Sequence, residues 1–191
     1  DISLDQPEED FLLLLPVMSC FILTPAFPQA REISDLAFFD QKFSPGHRRE
    51  VMNFYQSMLK RHLYCAGQDK TLLSKNVSFT PMLSSLMQTF PEARIAACIR
   101  DPEKTLPSQI SAMEKSWVLL GNSTEYELFV KRWVKLISHY YSILADSCSS
   151  PGNLEIQCID MSSLTRDLKG TVQTLYKKFN IEPDPDFIQA L

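Results

Sequence analysis

The sequence predicts a three-layer α/β fold with a parallel sheet, and three observations predict it. Three short apolar runs of strand length, Thr71 to Ser74, Arg94 to Ile99 and Leu154 to Ile159, are each followed by a stretch with helical spacing. Parallel strands must be joined by a crossover of about a dozen residues or more, which those helices supply. The 191 residues, 45% apolar and 22% charged with 12 prolines and 5 glycines, have the make-up of one globular domain with a sizeable core, which excludes disorder and collagen.

The elements follow in chain order. The first ten residues hold Asp1, Asp5, Glu8, Glu9 and Asp10 ahead of an apolar stretch, the pattern of an acidic helix start favoured by the macrodipole. The apolar run Phe11 to Leu23 is shorter than the ~20 residues of a bilayer span and is broken by Pro16, so no transmembrane helix is expected. Thr24 to Asp40, with Pro25, Pro28, Phe27, Phe38 and Phe39, has no clean period and reads as irregular with one short helix. Ser44-Pro45 is an N-cap followed by an N1 proline. Behind it Val51, Phe54, Tyr55, Met58, Leu59 and His62 form an amphipathic stripe up to Gly67, with Arg48, Arg49, Lys60 and Arg61 on the outer face.

After the first strand and the polar Lys75-Asn76, a helix starts at Thr80-Pro81, carries Leu83, Leu86, Met87 and Phe90, and ends before Pro91. The run Arg94 to Ile99 is nearly continuous in apolar residues, as in a strand covered on both faces. A capping box, Thr124 with Glu127, opens the longest helix, whose Phe129, Trp133, Leu136, Ile137, Tyr140 and Leu144 read as core. A turn at Ser149 to Asn153 leads into the third strand, and a last helix bears Val172, Leu175, Tyr176 and Phe179.

Nineteen basic and 23 acidic side chains leave a net charge of −4, too little positive potential for nucleic acid to be the expected partner. The five cysteines, Cys20, Cys65, Cys98, Cys148 and Cys158, never form a CxxC pair, so neither a metal site nor a disulfide framework is expected, and reduced, buried thiols are. The sequons at Asn76 and Asn122 carry meaning only in a secreted chain. His47, His62 and His139 read as ordinary packed or surface histidines.

In an open parallel sheet, ligands bind beyond the carboxyl ends of the strands, which points to Lys75-Asn76 and to Arg100-Asp101-Pro102. Arg100 offers a planar fork that matches a phosphate, just before a helix start whose free N–H groups also attract anions. Ser108, about two turns into that helix and just after Pro107, can turn its hydroxyl toward the same anion. The same residues also suit a surface Arg–Asp pair and a plain helix serine.

The stretch from Leu72 to Ser108, LLSKNVSFTPMLSSLMQTFPEARIAACIRDPEKTLPS, resembles the nucleotide-binding half of the sulfotransferases that use 3'-phosphoadenosine 5'-phosphosulfate (PAPS). The matching features are a strand ending in lysine, a helix, Phe90-Pro91-Glu92-Ala93-Arg94, an apolar strand, Arg100-Asp101-Pro102, and a serine eight residues beyond the arginine. Thr171 to Phe179, of the form TVxxLYxxF, resembles the family's last helix. The resemblance implies a P-loop-like fold, a single domain over residues 1–191, and a transferase that moves a sulfuryl group from PAPS to a hydroxyl or amine acceptor. It implies that Arg100 and Ser108 hold the donor's 3'-phosphate, that Lys75 faces the reacting centre, and that no metal is needed.

Three departures stand beside it. The family's glycine-rich phosphosulfate loop is not in the sequence, which is expected to begin after it. No histidine lies within a few residues of Lys75, which leaves Glu9 or Asp10 to serve as base. At the last strand, where relatives carry a tyrosine, this chain has Asp160 and Met161. The rival readings are a non-catalytic or degenerate sulfotransferase-like module and a kinase-like P-loop relative. The segment Thr24 to Asp40 and the helix after Ser44 are expected to serve acceptor binding or a homodimer contact. The cytoplasm is the favoured compartment, with the Golgi lumen the alternative if an anchor lies upstream.

Overall fold

In the computed structural model, which describes residues 9–67, 70–122, 125–149 and 156–191, helices dominate and two strands pair in parallel. The chain divides after Pro91 into two compact units.

The first unit is helical. A 3-10 helix, Asp10–Val17, is followed by α1 (Leu23–Ala26), α2 (Arg31–Asp35), a 3-10 turn Leu36–Phe38, α3 (Phe39–Lys42), α4 (Pro45–Ala66), a second 3-10 helix Val77–Met82, and α5 (Leu83–Thr89). Helix α4 starts where the sequence puts it: Ser44 Oγ accepts from the His47 N–H at 3.3 Å and Pro45 occupies the first turn. Its buried face, Val51, Met52, Tyr55 and Leu59, packs on Leu14, Cys20, Ile33, Leu36, Phe39 and Met82. Helix α5 has no cap of its own, and a remote carboxylate takes the place of one. Asp40 accepts from the backbone N–H of Ser84 at 2.8 Å and of Ser85 at 3.3 Å, and from the Ser85 hydroxyl.

Two expectations change here. Thr71 to Ser74 forms no strand, and Leu73 is 95% exposed. An apolar run becomes a strand only where a neighbour completes its ladder, and the described residues of this unit contain no strand to pair with. Thr24 to Asp40 is a chain of short helical turns rather than an irregular stretch. Its Ile33, Leu36 and Phe39 are buried, which takes them out of the acceptor or subunit contact expected of the segment, while Phe27 stays exposed.

The second unit contains β1 (Ile95–Ile99), α6 (Pro102–Leu119), α7 (Tyr126–Ser149), β2 (Ile156–Asp160), α8 (Met161–Arg166), α9 (Leu168–Lys178) and α10 (Pro185–Ala190). The strands run in register from Ile95 opposite Ile156 to Ile99 opposite Asp160, and α6 and α7 form the crossover. Helix α7 buries Phe129, Trp133 and Leu136, and the Phe129 ring meets Trp117 of α6 at 5.0 Å. Among the described residues the sheet has two strands rather than three, and Ala96 and Cys98 are exposed, so β1 is open on one face instead of covered on both. The small side chains Ala96, Ala97 and Cys98 offer little apolar area to hold a second cover.

The expectation of reduced thiols is also overturned. Cys148 at the end of α7 and Cys158 in β2 form a disulfide with Cα atoms 6.1 Å apart, while Cys20 is buried and free and Cys65 and Cys98 are exposed and free. The crossover brings β2 back beside the end of α7, a closeness that ten residues of separation does not announce. The acidic Asp1, Asp5 and Glu8, the capping residue Thr124, the turn residues 150–153 and Leu154 lie outside the described residues. No described helix is long and apolar enough to cross a membrane.

The disulfide closes a loop of about ten residues, so its loss is expected to cost ~3 kcal/mol of stability on the loop-entropy scale. Denaturant unfolding with and without reductant, and of Cys148→Ser, measures this. Thiol titration of the unfolded chain should count three thiols before reduction and five after; five before reduction would remove the bond.

Candidate functional site

In the first unit, two consecutive residues of the amino-terminal segment pair with two consecutive residues of the 70–76 segment. Lys75 Nζ donates to Glu9 Oε1 at 2.6 Å, and Asn76 Nδ2 donates to Asp10 Oδ1 at 3.0 Å. The sequence proposes Glu9, Asp10 and Lys75 separately, and the fold brings all three together. The Lys75 side chain is 80% exposed, and an ion pair that open to water contributes about 0–1 kcal/mol, too little for stability to be its purpose.

The two carboxylates differ. Both Asp10 oxygens are taken, one by Asn76 and the other by the Tyr55 hydroxyl of α4. Asn76 in turn accepts from the Ser78 N–H at 3.0 Å and the Ser78 hydroxyl at 2.7 Å, capping the 3-10 helix that follows. Asp10 is therefore a fixed hub, whereas Glu9 Oε2 has no partner among the described residues. Of the two candidates for base, Glu9 is the one with an oxygen that no described residue engages.

The sequence points to Asn76 only as part of the polar Lys75-Asn76 end, and to Tyr55 only as core. A tyrosine on an apolar stripe reads as core, which it also is: Tyr55 is 2% exposed and meets Phe79 edge-on at 5.1 Å. The signal that could have found it is its hydroxyl, which a buried tyrosine must satisfy. Burial, then the bond to Asp10 and its charge, push the Tyr55 phenol well above the ordinary tyrosine range.

In the second unit, β1 ends at Ile99 and the chain turns through Arg100 into α6. Asp101 Oδ1 caps the helix by accepting from the Glu103 N–H at 2.9 Å, and the Asp101 carbonyl accepts from Lys104 N–H at 3.0 Å and Thr105 N–H at 2.9 Å. Pro102 has no N–H to give. This corrects the expectation that free backbone donors greet an anion here: the first turn's donors are used. An anion at this turn must be held by side chains. Arg100 and Ser108 are both exposed, and the Arg100 guanidinium has no partner among the described residues. Asp101, Thr105 and Ser108 share one helix face by their i, i+4, i+7 spacing, so the serine stands above the turn that carries Arg100.

The same turn is held from outside by Tyr141 of α7, whose hydroxyl donates to the Arg100 carbonyl and lies 3.0 Å from Thr105 Oγ1. After β2, Asp160 caps α8 by accepting from the Ser162 N–H at 2.8 Å and the Ser162 hydroxyl at 2.7 Å, bonds that hold its carboxyl below the usual range. His47 stacks on Phe43 at 4.9 Å and His62 is exposed on α4, as expected of ordinary histidines. No group of three or more metal-ligating side chains is gathered among the described residues.

Residues 5–186 match the family model described as the sulfotransferase family. No curated protein and no solved structure matches the chain.

The Tyr55 shift has a signed consequence. A phenol whose folded pKa is raised stabilises the fold fully below its unfolded pKa, and that stability is lost as pH rises above it, because the unfolded chain then releases a proton that the folded chain keeps. Stability is expected to fall as pH rises beyond about 10, and Tyr55→Phe should flatten that slope while costing about 1.5–3 kcal/mol at neutral pH. Urea unfolding of both proteins at pH 7 and at alkaline pH checks the two effects.

Proposed function

Because the chain belongs to the sulfotransferase family, we propose that it transfers a sulfuryl group from PAPS to a hydroxyl or amine acceptor, within one three-layer α/β domain of the P-loop type. The observation that carries this reading is the turn after β1, where Arg100 and Ser108 are exposed while the N–H groups of Glu103, Lys104 and Thr105 are taken by Asp101. A bidentate guanidinium and a hydroxyl suit the 3'-phosphate, the group that distinguishes this donor from other adenine nucleotides. A family match that runs through both units supports reading them as one domain.

Sulfuryl transfer requires an in-line nucleophile, a base for its proton and positive charge at the leaving oxygen. Glu9 and Lys75 supply the last two. The acceptor oxygen or nitrogen forms a bond to sulfur as the bond from sulfur to the 5'-phosphate oxygen breaks; Glu9 takes the acceptor's proton and Lys75 neutralises the charge that grows on the leaving phosphate. The products are the sulfated acceptor and 3'-phosphoadenosine 5'-phosphate. Their 2.6 Å contact keeps base and cation in reach of each other before substrates enter. Asp10, held by Tyr55 and Asn76, orients the segment that carries Glu9.

Calorimetry tests the donor site. The full chain should bind 3'-phosphoadenosine 5'-phosphate in preference to adenosine 5'-phosphate, and Arg100→Ala should weaken binding of the former by about 1.5–3 kcal/mol. An unchanged affinity would remove Arg100 from the site. Glu9→Gln should abolish most turnover while leaving nucleotide affinity intact; turnover at the wild-type rate would reject Glu9 as the base.

A further inference from the structure

The Arg100 carbonyl lies just past the last paired position of β1, where Ile99 faces Asp160, and just before the α6 cap. Neither the sheet ladder nor the helix accounts for it, and its hydrogen bond comes from 41 residues away, from the Tyr141 hydroxyl. The same hydroxyl lies 3.0 Å from Thr105 Oγ1, in the middle of the helix face that carries Ser108. Thr105 Oγ1 also lies 3.1 Å from the Asp101 carbonyl, so side chain and turn form one small network. Tyr141 thus touches both the peptide that aims Arg100 and the helix that carries Ser108. The helix it stands on is itself fixed, by the packing of Phe129 on Trp117 and by the disulfide to β2.

We propose that Tyr141 is a positioning residue for the 3'-phosphate anchor, setting the direction of the Arg100 side chain relative to Ser108; this rests on the reading of those two residues as the donor's phosphate site. The peptide between Arg100 and Asp101 is the central one of the two-residue link between β1 and α6. Without an external bond its two flanking torsions are free to shift together. A hydrogen bond on the carbonyl fixes that peptide plane, and with it the Cα–Cβ direction of Arg100. A bidentate contact is sensitive to such aim, since its two bonds must form in one plane. A merely structural tyrosine would affect all nucleotides alike, whereas a positioning tyrosine acts on the 3'-phosphate alone.

The test measures binding of 3'-phosphoadenosine 5'-phosphate and of adenosine 5'-phosphate to the full chain and to variants, with thermal unfolding alongside. Tyr141→Phe is expected to lower the preference for the 3'-phosphate about fivefold to tenfold, the scale of one lost hydrogen bond, with affinity for the control nucleotide unchanged. Thr105→Val should lower it in the same direction and Thr105→Ser should restore it. If Tyr141→Phe fails to fold, the two Thr105 variants read the same network. A wild-type preference that survives both Tyr141→Phe and Thr105→Val overturns the positioning role and leaves the phosphate site standing. A wild-type chain with no preference at all overturns both.

Discussion

A carboxylate can leave water only where donors meet it, and the first unit is organised around that constraint at Asp10. Its two oxygens accept from Tyr55 on α4 and from Asn76 at the head of a 3-10 helix, so one side chain ties three segments of the chain together. Glu9 precedes it and Lys75 precedes Asn76, so the Glu9–Lys75 ion pair lies next in sequence to the half-buried Asp10–Asn76 pair. Asp40 repeats the device at α5, where a carboxylate from elsewhere in the chain satisfies two backbone donors that the helix cannot satisfy itself. In both places charge and helix ends are matched at distances of about 45 and 66 residues along the chain, which makes the unit dependent on tertiary contacts rather than on local propensity.

The second unit has a different economy. A parallel strand pair requires a long crossover, and the crossover here is two helices whose outer end returns to the sheet twice: Tyr141 reaches the end of β1, and Cys148 is bonded to β2. Helix α7 therefore holds β1 just past its carboxyl end and β2 at its middle. The side chains of Arg100 and Ser108 are exposed on this frame, as the binding role proposed for them requires.

Much of this was legible in the sequence where the signal is local. Ser44-Pro45 marks the start of α4, Asp101-Pro102 marks the start of α6, and the run ending at Ile99 marks β1, because caps and prolines act on their own neighbours. What failed depends on remote partners. The run Thr71 to Ser74 is apolar enough for a strand, but composition cannot say whether a neighbour waits for it. Turns of four or five residues, such as α1 to α3, are too short to show a helical period. Tyr55 counts as apolar in a stripe and Tyr141 falls outside the one read on its helix, so neither hydroxyl is marked by the pattern. The candidate residues Glu9, Lys75, Arg100 and Ser108 were all readable, but the contact between the first two, and the spent donors beneath the other two, required the fold.

The bond between Cys148 and Cys158 also changes what chain continuity means in this protein. It provides a second covalent route from α7 to everything that follows, bypassing the nine residues between the two cysteines. A protease that cuts the backbone there would leave β2 and helices α8 to α10 attached. The product would migrate as one molecule on a non-reducing gel and separate into two only when the sulfurs part.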